Sequence, residues 1–351
     1  MEYKKWGLSV IALTLIALCI LGSTTAIIDP YFHYRKPLEG LEYPIFDERH
    51  QSDGFLRHFD YDAVVIGSSM TSNFKTSELD ALFGVNSIKA SLSAASYKEL
   101  NNNLQRAFAA NPNIKTVFIC IDGFSVMQNK DTLAFDASYY PVYLTDDSLV
   151  NDVQYLFNKD TFVTGSLNVL LHTLQGKKTT SFDEYANFMD DHTFGREAVL
   201  RHVSKLPAQP EQSLSDEIKQ QTAENVQQNI ISLAEQHPDV QFYCFFPPVS
   251  MYYFYTLKQT GFLREEINAY KLASDLILQQ DNMKLFAFFE ELDIIANPDI
   301  YMDVYHYSED VNSQMLVWMG EGSHQLTKEN YMSYWDSLYE VFSTYNYDPL
   351  F

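Results

Sequence analysis

Short runs of β-branched and aromatic residues alternate with helical segments along most of this chain. That alternation limits the possible folds more than any other feature. Asp62-Ala63-Val64-Val65-Ile66-Gly67 is a compact apolar run closed by glycine and reads as a buried strand. Helical spacing continues over about 75–83, then a second strand over 85–90. A helix over 97–110 stops at Asn111-Pro112, and a third strand runs over 115–122. The third run is apolar without a break, as expected of a strand covered on both faces. Farther along the chain, 215–236 reads as a helix capped by Ser213 or Ser215 and ended by His237-Pro238. A fourth strand over 240–246 is cut off by Pro247-Pro248, residues 262–280 are helical, and 283–289 form a fifth strand. Helices near 308–319 and 327–343 close the chain. This βαβα order predicts an α/β fold with a parallel sheet and helices on both faces.

Two stretches depart from the alternation. Residues of about 125–212 are rich in Tyr, Phe and Asp and hold one helix near 147–175. They read as an insertion above the carboxyl edge of the sheet, where a lid or substrate platform would sit. In 29–60, Pro30, Pro37, Gly40, Pro44 and Gly54 argue against long regular elements. The expected organisation is an anchor over 1–28, a membrane-proximal lead-in over 29–60, and an α/β domain over 61–351 that contains the insertion.

The anchor is read from the first segment, where no charge occurs from Trp6 to Ile28. At about 1.5 Å per residue this run crosses a hydrocarbon core of roughly 30 Å. Lys4 and Lys5 precede it and Asp29-Pro30 end it, so the N-terminus is expected in the cytoplasm and the rest outside the cell membrane. A cleaved signal peptide is the alternative, with Thr24-Thr25-Ala26 as the small residues of a cleavage site. The chain carries 24 Lys+Arg against 46 Asp+Glu, a net charge of −22, which excludes nucleic acid and an anionic lipid surface as expected partners. Its 24 Tyr and 25 Phe are ample for a real core and exclude general disorder. Three cysteines are too few for a disulfide framework, and Cys120 and Cys244 read as buried free thiols. No HExxH, phosphate-binding loop or dinucleotide glycine pattern occurs, so no metal or other cofactor is expected.

Three places can carry chemistry. Gly67-Ser68-Ser69 stands at the end of the first strand, where a tight strand-to-helix turn exposes a serine hydroxyl beside the next helix's N–H groups. The plain alternative is an ordinary turn and cap. Asp303-Val304-Tyr305-His306 comes after the last strand, and its spacing lets the carboxylate accept from one ring nitrogen while the other takes a proton from a serine. Glu321-Gly322-Ser323-His324 repeats the acid-to-histidine spacing between two helices and is the rival pair. Asp122 ends the third strand at the same edge, as a catalytic group or as a loop carboxylate.

With these residues in place, the chain resembles the SGNH/GDSL hydrolase superfamily, on Gly67-Ser68-Ser69 at the first strand and Asp303-Val304-Tyr305-His306 near the end. Asp29-Pro30-Tyr31-Phe32-His33, Phe246-Pro247-Pro248-Val249-Ser250 and His306-Tyr307-Ser308 are similar to phrases in its membrane-anchored, extracytoplasmic branch, whose members assist teichoic-acid D-alanylation or polysaccharide O-acetylation. The resemblance implies a flavodoxin-like three-layer α/β/α fold, with Ser69 as nucleophile, His306 as base and Asp303 as its orienter. It implies an oxyanion hole from the N–H groups of Ser69 and of Ala94 or Ala95. The implied partners are an acylated cell-envelope glycan or teichoic-acid-like polymer and a membrane-bound acyltransferase. The chain departs from the pattern at Ser68, where the superfamily usually has Asp. It departs again at Ser91-Leu92-Ser93-Ala94-Ala95-Ser96, which lacks the second-block Gly, and at Asp122-Gly123-Phe124-Ser125, which lacks the third-block Asn. Those losses fit a second expectation, a non-catalytic envelope protein that binds a glycan or an acyltransferase. Tyr252, Tyr253, Tyr305 and Tyr307 are the aromatics expected near the mouth for stacking on sugar rings.

Overall fold

The computed structural model describes residues 2–146 and 148–351. They pack as two units, one of residues up to Phe59 with Phe135–Ser181, the other of Asp60–Ala134 with Phe182–Phe351. Residues 135–181 thus belong with the N-terminal segment, whereas 125–134 and 182–212 belong with the sheet.

The larger unit is a mixed α/β structure around a six-stranded sheet. Its strands are β1 Ala63–Gly67, β2 Ser87–Ser91, β3 Thr116–Cys120, β4 Gln241–Phe246, β5 Met283–Ala287 and β6 Gln325–Leu326. They lie in the order β2-β1-β3-β4-β5-β6, parallel except for β6, which runs antiparallel on β5. Five strands match the runs read from sequence. The sixth does not appear there, because two residues carry no periodicity. Every position of β1 and β2 is buried; β1 is continuously apolar, whereas β2 buries Ser87, Lys89 and Ser91, with Lys89 Nζ donating to the Ser72 and Phe74 carbonyls.

In chain order the longer helices are α1 Glu2–Ile28, α2 Glu48–His58, α3 Thr76–Phe83, α4 Tyr97–Ala110, α5 Leu167–Leu174, α6 Asp216–Val226, α7 Met251–Thr260, α8 Leu263–Ile277, α9 Glu309–Glu321 and α10 Tyr331–Thr344. Ser96 and Glu99 form a capping box on α4. Ser215 caps α6, which continues through a π turn to Gln236. Helix α7 escapes a periodicity argument because Met251 to Tyr255 are all buried, leaving no polar face to mark a helical repeat.

Aromatic side chains fill the core of this unit. Phe118, Tyr243 and Phe286 stack across β3, β4 and β5 at 4.8 and 6.1 Å. Trp335 of α10 is fully buried against Phe246, Tyr270 and Phe289, and its indole N–H donates to Ser274 Oγ at 2.9 Å. Each such side chain contributes about 1.5–3 kcal/mol through burial.

The smaller unit holds α1, in which Tyr3–Ile28 has a mean hydropathy of 2.3 over its most apolar window and is long enough to cross a membrane. Two expectations are corrected in this unit. The stretch 29–60 contains the 11-residue α2, capped by Asp47, with Gly54 inside it. A Cβ on Gly54 would stand 2.2 Å from the Tyr31 carbonyl, so close packing rather than a turn explains the glycine. The helix expected near 147–175 begins at a position outside the described residues. Its remaining length is divided into a single turn Val153–Leu156, a π turn Thr161–Ser166 and α5.

Candidate active site

The strand order reverses between β1 and β3, and in parallel sheets the crevice beyond the carboxyl ends at such a point collects ligands. Ser69 stands two residues past β1, and Asp122 two residues past β3. A single 3-10 turn, Ser69–Thr71, succeeds β1 in place of the expected helix, with the Ser68 hydroxyl accepting from the Met70 N–H as its cap. Thr71 Oγ1 lies 2.8 Å from the Ser68 carbonyl oxygen and 2.7 Å from Ser91 Oγ, which ties the turn to β2. So short a turn has little macrodipole, and any oxyanion here would depend on individual N–H groups.

His306 reaches this turn from a loop fastened at several points. Asp303 Oδ1 accepts from the N–H groups of Tyr305 and His306 at 2.7 and 2.8 Å. Asp303 Oδ2 lies 2.7 Å from His306 Nδ1, and His306 Nε2 lies 2.7 Å from Ser69 Oγ. Ser250 donates both its hydroxyl and its N–H to the Val304 carbonyl, and the Tyr301 hydroxyl donates to the Pro248 carbonyl. The ring of Phe188 meets His306 edge-on at 5.6 Å, with the Phe188 N–H held by Asn73 Oδ1. Burial pushes the Asp303 carboxyl up, but the His306 ring and the N–H groups of His306 and Tyr305 outweigh it and leave the group below its ordinary range.

The rival histidine is engaged elsewhere. His324 Nδ1 lies 2.7 Å from Glu290 Oε1 and its Nε2 3.4 Å from Glu291 Oε1, rather than at Ser69. Asn73, Phe188 and Ser250 were not legible as site residues. Only Ser250 lay in a phrase that carried the resemblance, and neither Asn73 nor Phe188 stands in a pattern that announces a histidine's neighbour.

Of the two alanines named for an oxyanion hole, Ala95 is excluded because its N–H donates to the Leu92 carbonyl at 2.9 Å and the residue is fully buried. Ala94 is exposed, sits at φ +57°, and lines the same cavity as Ser69. Among the described residues the N–H groups of Ser69 and Ala94 donate to no intramolecular acceptor.

That cavity has a volume of about 260 Å³ and is mostly apolar, with Met70, Phe124, Val249 and Tyr305 beside Ser69 and His306. Tyr253 and Tyr305 face it, whereas Tyr252 and Tyr307 are core residues whose hydroxyls bond the Leu350 and Met70 carbonyls. One buried carboxyl, Asp122, lines it, and a second, Glu266, lies behind the lining residues Tyr253 and Tyr270. Burial pushes Asp122 up to about 6, opposed by the Ser68 hydroxyl, the Cys120 thiol, the Ser68 N–H and the charge His306 can carry, and among the described residues its Oδ2 has no hydrogen-bond partner. Burial pushes Glu266 up to about 7 although the hydroxyls of Tyr253 and Tyr270 both donate to its Oε1. Cys120 and Cys244 are buried and free, as expected. Among the described residues no three His, Cys, Asp or Glu side chains are grouped to hold a metal ion.

The arrangement is one in which an imidazole, held in a single tautomer by a carboxylate, can take the proton of a serine hydroxyl. No protein-family model matches the sequence, and no curated protein matches it. Among solved structures it is similar to a protein provisionally described as a platelet activating factor from Streptococcus pneumonia, at 15% identity and a TM-score of 0.37 over 78% of this chain and 92% of that one.

Proposed function

We propose that this chain is a membrane-anchored serine esterase or O-acyltransferase of the SGNH type, facing away from the cytoplasm and acting on acyl esters of cell-envelope glycans. The observation that carries this reading is the hydrogen-bonded series from Ser69 through His306 to Asp303, with 2.7 Å at both links, beside a mostly apolar cavity. In this mechanism Ser69 Oγ attacks the ester carbonyl while His306 Nε2 takes its proton and returns it to the departing alcohol. The N–H groups of Ser69 and Ala94 face the developing oxyanion. Water, or a sugar hydroxyl, then accepts the acyl group from Ser69. The strand order β2-β1-β3-β4-β5 supports a flavodoxin-like three-layer arrangement. Lys4 and Lys5, in the first turns of α1 ahead of its uncharged run, support a cytoplasmic N-terminus.

One observation favours a second reading, a protein that binds a glycan or a membrane acyltransferase without turnover. The third block lacks the Asn whose amide would donate, and the buried Asp122 lines the cavity, where its ionised form would oppose a neighbouring oxyanion. A fluorophosphonate probe on the full chain in detergent separates the two. Catalysis predicts labelling of the wild type that is lost in Ser69→Ala and His306→Ala, together with acetate release from aryl esters. A folded wild type that neither labels nor releases acetate overturns the enzyme reading.

A further inference from the structure

We propose that residues 149–174 form a second membrane contact, a belt seated in the lipid at the C-terminal end of α1. The inference rests on α1 crossing the bilayer, as the proposed anchoring requires.

The belt is built onto the end of that helix. Asp29 comes directly after α1, and its carboxylate accepts from the N–H groups of His33, Tyr34 and Arg35 and from the Tyr155 hydroxyl at 2.8 Å. Asp152 is buried and takes His33 Nε2 at 3.1 Å and the Tyr34 hydroxyl at 2.9 Å. The phrase Asp29-Pro30-Tyr31-Phe32-His33, which the catalytic reading leaves without a role, is therefore the fastening between helix and belt.

The helix itself sets the depth. The Phe157 ring packs against Gly22, where a Cβ would meet it at 2.9 Å. Gly22 lies six residues before Ile28, or about 9 Å back along the axis at ~1.5 Å per residue. The uncharged run 6–28 exceeds a hydrocarbon core of roughly 30 Å by only a few ångströms. Phe157 thus lies beneath the hydrocarbon boundary on the side where α1 ends.

The stretch that carries Phe157 leaves several apolar side chains uncovered. Val150 is 84% and Leu174 83% exposed, and Leu149, Val153, Val163 and Leu171 also face outward. Over 149–174 the only exposed charges are Lys159 and Asp160, in a chain of net charge −22. An apolar surface of this kind beside a spanning helix is satisfied by acyl chains, and it holds the belt by hydrophobic transfer rather than by anionic headgroups.

The test uses an environment-sensitive NBD label on one exposed cysteine at a time in the full chain, Cys120 and Cys244 being buried, in liposomes of phosphatidylcholine with or without brominated acyl chains. Native Cys19, exposed on α1, reports helix insertion. In a Cys19→Ala background, Val150→Cys and Leu174→Cys report the belt, and Asp216→Cys in the same background serves as the aqueous control. Blue-shifted emission and bromolipid quenching at both belt positions, comparable with Cys19, are the expected result. If either belt position behaves like Asp216→Cys while Cys19 is quenched, the belt is overturned and the anchor stands. If Cys19 is itself unquenched, the spanning helix fails and the belt fails with it.

Discussion

Replacing Asp303 by Asn changes one atom at a position where the structure leaves little freedom. The Asp303 Oδ1 that accepts from the N–H groups of Tyr305 and His306 is retained, so the loop keeps its turn. The Oδ2 that faces His306 Nδ1 at 2.7 Å becomes an NH2 group. A donor there forces Nδ1 to accept, which places the ring proton on Nε2, the nitrogen 2.7 Å from Ser69 Oγ. The base then presents a proton to the nucleophile instead of removing one. A tautomer error of this type costs about 10⁴ in kcat in a serine-protease triad, or about 5 kcal/mol of barrier. Aryl-ester hydrolysis by Asp303→Asn should accordingly fall by about 10³–10⁴, with KM little changed and near-UV circular dichroism that of the wild type. Loss of rate through unfolding would show in the dichroism. A folded variant retaining more than about a tenth of the wild-type rate would refute the tautomer argument and with it the assignment of Asp303.

Glu266→Gln probes the buried carboxyl behind the cavity. Its group titrates at about 7 in the folded chain against an ordinary 4.5, so native protein holds a proton that the unfolded chain releases between those values, and stability falls as pH rises through them. Urea unfolding should give wild type and variant equal stability near pH 4 and favour the variant by about 3 kcal/mol at pH 8; a difference independent of pH would contradict the burial argument. Gly123→Ala puts a Cβ 1.9 Å from the Tyr270 hydroxyl and 2.8 Å from Glu266 Oε1, so the tyrosine must leave the carboxyl. A loss of about 1–3 kcal/mol, read as a lower Tm, is expected, and an unchanged Tm would mean the contact yields freely. Because His324 is held by Glu290 and Glu291, His324→Ala should leave fluorophosphonate labelling of Ser69 within twofold of wild type, whereas lost labelling would return the rival pair to consideration.

The strands were legible because β1, β3, β4 and β5 are short runs dominated by buried apolar side chains, and such runs survive in a linear sequence. The apolar helix α1 was legible for the same reason, as a long uncharged run. Helix α7 was not, since five consecutive buried residues erase the 3.6-residue repeat, and α2 was hidden by a glycine that tertiary contact demands. Asp303 and His306 could be singled out from local spacing and chain order, and Ser69 within Gly67-Ser68-Ser69 from the resemblance to the SGNH/GDSL superfamily. That His306 rather than His324 faces Ser69 was decided by loop fastenings through Ser250, Tyr301 and Asn73, contacts between residues far apart in the chain. Local propensity writes elements and turn motifs into the sequence. Which side chains meet across the ends of those elements depends on packing between distant segments, and only the folded chain decides that.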